Sequence, residues 1–349
     1  MNLDDFDYKL PADLIAESPP ARRSDARLLV VDRSSDETFD RSFLDLTDYF
    51  TQGDLLVLND TRVIPALLSL RKQNGIEVEL LLERLLSNEE ILAQVSKSRR
   101  IRIGDPLYLT SESPEISITV SARQGDFMIL RIEGISTRAL FDNYGQIPLP
   151  PYIRKRRIEG EKEINQEEDF KRYQTIYAKE SGSVAAPTAG FHFTYELLDK
   201  LKRLGVLILS QTLHIGSGTY QPVRSEKIEN HEMHSERFTI SKETASLINS
   251  QKRAGKKIFA VGTSTARALE SATENGKVRE FQGETDLFIY PGYEFTMVDH
   301  LITNFHLPRS TLLMLVSAFY DRNKILELYE EAVKKRYRFY SYGDAMLLL

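Results

Sequence analysis

Half of the histidines in this chain lie in loops built from small residues, an arrangement that suits acid–base chemistry on a bound ligand. The six histidines all fall between positions 192 and 306. Loops of Gly, Ala, Ser and Thr let the backbone approach a ligand closely, and histidine has the side-chain pKa nearest to neutral pH. A fourth loop of similar composition, 262–265, follows a predicted strand and opens a helix. The three histidine-bearing loops are residues 182–193 with His192, 212–220 with His214 and 303–311 with His306.

Each loop taken singly has a plainer explanation in packing. A Gly-Thr-Ser sequence before a helix is more often a cap than a ligand cradle, and Ser310 suits the N-cap of a buried helix. A histidine among apolar residues is usually a satisfied core residue. Packing alone does not require three histidines in the loops of one α/β region, so the four loops together predict a ligand site.

Two further clusters each have two interpretations. His231 and His234, followed by Glu236, have a spacing that zinc ligands use, yet the third ligand is unspecified and the segment equally suits a polar loop that orders over a ligand. Asp60 and Arg62 follow a predicted buried strand. They would either pair with each other as a structural clamp or face a ligand beyond the end of that strand.

The composition excludes several classes of protein. The chain has 349 residues with no cysteine, which rules out disulfide scaffolds, zinc ribbons, iron–sulfur clusters and thiol nucleophiles. We see no secretory signal and no apolar run near the ~18–20 residues of a membrane span, so we expect a cytoplasmic protein outside the membrane. A net charge of −5 rules out a uniformly basic coat. Basic clusters at 97–102, 154–157 and 334–338 would contact nucleic-acid phosphates or form ordinary solvated faces.

The order of the predicted elements favours an α/β fold with an inserted β domain. The apolar run 54–59 is typical of a strand buried on both faces, and helices alternate with strands in the second half of the chain. Short β-rich runs separated by turn signals lie between them. We therefore predict a main α/β domain built from both chain ends, 1–62 plus 151–349, with a small β-barrel domain inserted at 63–150. Individual elements expected include helices at 40–50 and 194–204 and a strand at 286–290.

Nine motifs are distributed along nearly the whole chain. They include LLVLNDTRVIPA, GSVAAPTAGFHFT, TLHIGSGTYQPV, HEMHSE and LITNFHLPRSTLLMLVSAF. In this order they closely resemble the S-adenosylmethionine:tRNA ribosyltransferase-isomerase family of queuosine biosynthesis. The chain departs from the family pattern at Leu67, where Arg is usual, and at Ala26, where Ser is expected. The motifs are residues 55–66, 145–153, 173–178, 182–194, 212–223, 231–236, 261–271, 301–319 and 337–347.

The resemblance implies a fold and a reaction. The family fold is an α/β domain with an inserted β-barrel. The reaction moves the ribosyl unit of S-adenosylmethionine onto 7-aminomethyl-7-deazaguanine at the tRNA wobble position. It leaves epoxyqueuosine in the tRNA and releases adenine and methionine. S-adenosylmethionine would be consumed as a co-substrate, with no metal or other cofactor. The implied partners are that tRNA and S-adenosylmethionine, and we expect a monomer.

This chemistry suggests roles for the residues of the loops. A base must remove a C5′ hydrogen that the neighbouring sulfonium acidifies, and the candidates are His192, His214 and His306, with Asp60 next. The remaining candidates would bind the substrates. Thr188, Gly190, Gly216, Gly218 and Thr219 would line the donor site, Arg62, Asn304 and Arg309 would hold a carboxylate or ribose oxygens, and Arg154, Lys155, Arg156 and Arg157 would contact tRNA phosphates.

Two other functions remain open from the sequence. An ordinary S-adenosylmethionine methyltransferase would produce S-adenosylhomocysteine in place of adenine and methionine. A catalytically silent RNA-binding paralogue would bind tRNA, although binding alone would not require the small-residue loops.

Overall fold

A nine-stranded mixed sheet forms the centre of the protein. The computed structural model describes residues 1–110, 115–154 and 166–349. Strands are numbered along the chain, and those of the central sheet are β1 (Arg27–Asp32), β2 (Glu37–Ser42), β3 (Leu55–Asn59), β12 (Leu207–Leu213), β13 (Glu236–Ile240), β14 (Ile258–Val261), β17 (Phe281–Thr285), β18 (His300–Asn304) and β19 (Ala345–Leu348). Their order across the sheet is β17-β13-β12-β3-β14-β18-β19-β1-β2. The last strand of the chain, β19, pairs in parallel with the first, β1.

Apolar layers cover both faces of this sheet. The α-helices whose bounds lie within the described residues are α1 (Thr137–Tyr144), α2 (Gln166–Arg172), α3 (Tyr195–Arg203), α4 (Lys242–Arg253), α5 (Thr263–Ser271), α6 (Thr311–Phe319) and α7 (Arg322–Lys334). Leu55 and Val57 of β3 pack in the core that includes α4 to α7, whereas Leu56 and Leu58 pack in the core that includes α3. Burial on both faces explains why the β3 sequence is apolar without alternation. In the described ranges, no helix is long and apolar enough to cross a membrane.

A closed six-stranded antiparallel barrel forms the second unit. Its strands are β5 (Leu67–Lys72), β6 (Glu77–Leu85), β7 (Glu90–Val95), β8 (Pro106–Leu109), β9 (Ser117–Gln124) and β10 (Phe127–Glu133), in the order β10-β7-β6-β5-β8-β9. Alternate residues of β6 and β7 fill its interior, as expected for strands with one face inside a barrel. The α/β fold with a β-barrel that the sequence predicted is confirmed.

The chain enters and leaves the barrel at one place. Leu67 and Gln146 exchange backbone hydrogen bonds of 3.0 and 2.8 Å. Just before the barrel, β4 (Thr61–Val63) pairs in parallel with β11 (Glu180–Ser183). The buried side chain of Gln174 bonds both the N–H and the carbonyl of Val63, at 3.0 and 2.8 Å.

The remaining short strands, β15 (Thr273–Glu274) and β16 (Lys277–Val278), form a separate hairpin.

Two predicted elements need correction. Residues 40–50 are not one α-helix, because β2 runs to Ser42 and a 3-10 helix then spans Phe43–Tyr49. The strand expected at 286–290 lies earlier, as β17. Its last residue, Thr285, pairs with Glu236, which is the first residue of β13, so residues beyond Thr285 have no strand to pair with. The Thr285 side chain also accepts the Leu287 N–H at 3.1 Å, which turns the chain away from the sheet.

Replacement of Gly145 should destabilise the junction between the two units. Alanine can adopt the φ of −74° found at Gly145. A Cβ at this position, however, would collide with the backbone oxygens of Pro65 and Phe141. We expect Gly145→Ala to lower the free energy of unfolding by about 3 kcal/mol, measured by urea titration with circular dichroism. Gly255→Ala is the control, because that Cβ meets open space and only the left-handed φ of +75° costs stability, about 1 kcal/mol. Equal losses in the two variants would contradict this assignment.

Candidate active site

The carboxyl ends of four parallel strands bring the predicted loops to one edge of the central sheet. β12, β3, β14 and β18 are neighbours that run in the same direction. The residues that follow them, His214, Asp60, Gly262 and Phe305, therefore stand along this edge in that lateral order. Open α/β sheets bind ligands beyond this end of their strands.

The loop 182–194 spans these strand ends. A Cβ on Gly182 would lie 2.9 Å from the His214 ring, so glycine permits this close approach at the end of β12. Further along the loop, Thr188 Oγ1 donates to Asn304 Oδ1 at 3.0 Å, at the end of β18. Because β3 and β14 lie between β12 and β18, the loop covers all four strand ends.

The fully buried amide of Asn59 holds the middle of this edge together. Its Nδ2 donates to the Leu213 carbonyl at 2.9 Å and to Ser264 Oγ at 3.1 Å. Its Oδ1 accepts from the N–H groups of Leu213 and Thr61, at 3.0 and 3.2 Å. One side chain thus connects the ends of β3 and β12 with the first turn of α5.

His214 combines partial exposure with a fixed ring. Its Nδ1 is 2.8 Å from Thr61 Oγ1, and its backbone N–H donates to the Arg237 carbonyl at 2.9 Å. Partial burial is the main cause that lowers the pKa of His214, and the charge of Arg237 lowers it further, while Glu180 opposes the shift. The neutral form of the ring is therefore favoured at pH 7, and Nδ1 is the nitrogen that Thr61 holds.

Asp60 and Arg62 do not form the clamp considered from the sequence. Asp60 Oδ1 accepts from Thr212 Oγ1 at 2.6 Å, and the Arg62 guanidinium lies 5.9 Å from the centre of the Phe170 ring. Partial burial raises the pKa of Asp60, although the hydrogen bond from Thr212 acts in the opposite direction. Asp60 is therefore easier to protonate than an ordinary carboxylate.

His192 and His306 differ from His214 because both are buried. His192 Nε2 lies 3.1 Å from Asn304 Nδ2, and its ring is 5.0 Å from that of Phe43. His306 Nε2 lies 2.9 Å from Thr303 Oγ1. Burial lowers the pKa of each ring to about 3. The three histidines thus lie in three separate surroundings, and His214 alone of them is partly exposed.

The loop that follows His214 is held between two carboxylates. Glu83, on β6 of the barrel, accepts from the backbone N–H of Ser217 at 2.8 Å and from its hydroxyl at 2.6 Å. Glu236, on β13, accepts from the Gly216 N–H at 3.1 Å. A Cβ on Gly216 would lie 2.8 Å from Glu83, and one on Gly218 would collide with His234. Both glycines therefore allow protein side chains to approach this loop.

Two other residues predicted to bind substrate have protein partners in this structure. Gly190 packs against the hydroxyl of Tyr177, where a Cβ would collide. Arg309 donates to Asp7 at 3.0 and 2.6 Å and lies 3.3 Å from Asp4. Its guanidinium is thus occupied by the N-terminal segment.

Of the predicted tRNA-contacting cluster, the structure describes one member. Arg154 forms a two-pronged ion pair with Glu79 of β6, with one of its hydrogen bonds at 3.0 Å. Lys155, Arg156 and Arg157 lie outside the described residues.

A cavity of about 450 Å³ adjoins the 216–219 loop. Gly218 and the exposed Thr219 line it, together with residues that the site predictions did not include, among them Arg267 and Glu236. Arg267, on α5, forms a buried ion pair with Glu236. An arginine within the small, apolar start of α5 was the sequence signal that could have identified this pair.

His231 and His234 lie on the wall of the same cavity. The His231 ring packs edge-on to Phe288 with 5.3 Å between ring centres, and His234 packs edge-on to Phe127 at 6.0 Å. In the part of the chain that the structure describes, no three His, Asp or Glu side chains are grouped to hold a metal ion. The segment contributes to the cavity wall, and its interpretation as a polar loop that orders over a ligand stays a prediction.

Comparisons with known proteins agree over the full length of the chain. A family model described as a queuosine biosynthesis protein matches residues 3–348. A relative named S-adenosylmethionine:tRNA ribosyltransferase-isomerase, from Vesicomyosocius okutanii subsp. Calyptogena okutanii (strain HA), is 49% identical over 348 residues, covering 100% of this chain and 98% of the relative. A relative of the same name from Carboxydothermus hydrogenoformans is 47% identical over 350 residues, covering 100% of both.

A solved structure adds to this agreement. The crystal structure of S-adenosylmethionine tRNA ribosyltransferase from Thermotoga maritima is 34% identical in sequence, with a TM-score of 0.56, over 99% of this chain and 100% of that one. The resemblance predicted from the nine motifs is confirmed, and the chain belongs to the queuosine biosynthesis protein family and is one of its enzymes.

Proposed function

We propose that this enzyme transfers and isomerises the ribosyl moiety of S-adenosylmethionine onto 7-aminomethyl-7-deazaguanine at the wobble position of tRNA. The products are epoxyqueuosine in the tRNA, free adenine and free methionine. The observation that carries the proposal is the family match over residues 3–348, together with relatives whose names specify S-adenosylmethionine, tRNA and ribosyl transfer.

His214 is the proposed base. The sulfonium acidifies the C5′ hydrogens of the ribose, and a neutral imidazole is well matched to remove one near pH 7. In the tautomer with hydrogen on Nδ1, the ring donates to Thr61 Oγ1 and leaves the Nε2 lone pair for the substrate. The lowered pKa of His214 keeps this ring unprotonated at neutral pH.

Asp60 is the proposed acid. After the C5′ proton is removed, the ribose opens and adenine leaves, which requires a proton on the departing base. The raised pKa of Asp60 favours its protonated form relative to an exposed aspartate. The amine of the deazaguanine then attacks, and closure of the epoxide expels methionine.

The two buried histidines have positioning roles in this proposal. His192 and the Asp344 carbonyl both bond the buried Asn304 amide nitrogen, and Asn304 Oδ1 accepts from Thr188. We propose that Asn304 thereby orients the Thr188 hydroxyl, whose oxygen can accept from a ribose hydroxyl. His306 bonds Thr303 within β18 and supports the end of that strand. Because Arg309 is paired with Asp7, we assign it to the N-terminal segment and not to the substrate.

The proposed steps are proton transfers, an elimination and substitutions, and we propose that they need neither a metal nor a cofactor besides the consumed S-adenosylmethionine. The four strand ends and the loop across them belong to one chain, which supports action as a monomer. The tRNA substrate supports a location in the cytoplasm.

Product analysis tests the proposed reaction directly. We expect adenine and methionine in equal amounts when the protein is incubated with S-adenosylmethionine and a tRNA that carries 7-aminomethyl-7-deazaguanine. The modified nucleoside should gain the epoxycyclopentyl mass. Mass spectrometry of small molecules and digested nucleosides provides the readout. S-adenosylhomocysteine with a methylated nucleoside would establish methyl transfer instead, and bound but unchanged tRNA would indicate a silent binding protein.

Loss of the His214 imidazole should lower the rate of adenine release and remove the dependence of that rate on acid pH. We expect His214→Gln to slow adenine release about 10²–10⁴-fold. Because the base must be neutral and its pKa lies below the usual 6.5, the wild-type rate should decline in acid with a midpoint below pH 6.5, and this decline should vanish in the variant. His300→Gln is the matched control, since His300 begins β18 at the opposite end of that strand. A wild-type midpoint above pH 6.5 would argue against His214 as the base.

Binding to tRNA phosphates should make the affinity dependent on salt. We propose that residues 154–157 bind such phosphates. Replacing Lys155, Arg156 and Arg157 together with alanine should weaken tRNA binding and reduce the slope of log Kd against log salt by about 1 for each phosphate that the variant no longer neutralises. Filter binding at several salt concentrations measures this, and the KM for S-adenosylmethionine serves as the internal control. An unchanged slope would remove this cluster from the tRNA interface.

A further inference from the structure

The cavity beside the 216–219 loop contains a buried cation with unused donors. Arg267 is 7% exposed, its Nε donates to the Leu287 carbonyl at 3.1 Å, and its Nη1 pairs with Glu236. Among the described residues no partner is found for its Nη2, which is buried. Buried donors are normally satisfied, so an unused nitrogen on a guanidinium at a cavity wall indicates a missing acceptor.

The rest of the cavity wall mixes polar side chains, among them Asn230, His231 and His234, with apolar ones. Leu312 and Leu315 of α6 form part of its wall, and Phe288 forms another part. Glu236 places a carboxylate beside Arg267. A volume of about 450 Å³ has room for an amino-acid side chain with its charged end group.

The cavity is coupled to the strand-end site through one carboxylate. Glu236 accepts from the Gly216 N–H at 3.1 Å and pairs with Arg267 in the cavity. Gly216 follows His214 by two residues, and Gly218, two residues later, lines the cavity. The cavity wall thus begins four residues along this loop from His214, which does not itself line the cavity.

We propose that the cavity binds the methionyl end of S-adenosylmethionine, with the α-carboxylate on Arg267, the α-ammonium facing Glu236 and the methylenes against Leu312. This inference rests on the proposed function, because it places the part of the donor that leaves as methionine. Nη2 is the guanidinium nitrogen left without a partner, and a charge-assisted hydrogen bond from it to a carboxylate is among the stronger hydrogen bonds.

Binding of L-methionine, compared with L-methioninamide, tests this subsite without tRNA. The amide lacks the carboxylate, so we expect the wild-type chain to bind methionine at least tenfold more tightly, measured by calorimetry. Arg267→Gln should abolish that preference and raise the KM for S-adenosylmethionine about tenfold or more. A folded Arg267→Gln protein that keeps the preference, or a wild-type chain without one, would overturn the assignment.

A second variant covers the case in which loss of the buried ion pair unfolds the protein. Leu312→Trp fills the cavity from α6 and leaves Arg267 and Glu236 in place. It should weaken methionine binding at least tenfold, whereas Leu204→Trp, at an exposed position after α3, should not. Methionine binding that survives Leu312→Trp would place methionine elsewhere.

Different results would contradict the proposed methionyl subsite and the proposed reaction. If the wild type releases adenine but Arg267→Gln leaves the KM for S-adenosylmethionine unchanged, the subsite is wrong and the proposed function stands. If the wild type binds methionine through Arg267 but releases no adenine, the proposed reaction is wrong and the carboxylate site stands.

Discussion

The amide of Asn59 is the contact on which the candidate site depends. Where parallel strands end, their last N–H and carbonyl groups lose the ladder partner that the sheet provided, and a buried group without a partner is costly. Asn59 satisfies both backbone groups of Leu213 and adds a bond to Ser264. It therefore sets the position of the loop with His214 relative to β3 and α5. The loop residues can then be held in place without contributing apolar packing of their own.

The barrel is part of this arrangement. Glu83 of β6 accepts from Ser217, and Glu236 of β13 accepts from the preceding residue, Gly216. A carboxylate of the barrel and a carboxylate of the sheet therefore hold this loop in position together. The exchange of hydrogen bonds between Leu67 and Gln146 joins the segment that enters the barrel to the segment that leaves it, at the start of β5, the strand that pairs with β6. A displaced barrel would therefore displace the loop that runs from His214 to the cavity.

Burial separates the roles of histidines that look alike in sequence. Complete burial keeps His192 and His306 neutral over the whole physiological range, since the pKa of each lies near 3. Such rings orient their neighbours but do not exchange protons readily. His214 is partly exposed, and its pKa is lowered mainly by partial burial. Burial is thus the physical cause that distinguishes His214 from the other two rings and supports its proposed role as the base.

The sequence by itself determined the α/β character, the barrel, the four small-residue loops and the family, because apolar periodicity and motif order are properties of neighbouring residues. It also placed β3, whose apolar run reflects burial on both faces. Only the tertiary structure decided which side chains meet. Arg309 is taken by Asp7, some three hundred residues earlier in the chain, and β17 ends where β13 begins. Arg267 is buried beside the cavity because two distant segments contribute its partners: Glu236 lies on β13, and Leu287 lies in the segment after β17. The partner of a polar side chain depends on contacts between segments that are distant in the sequence. Local sequence patterns do not predict those contacts.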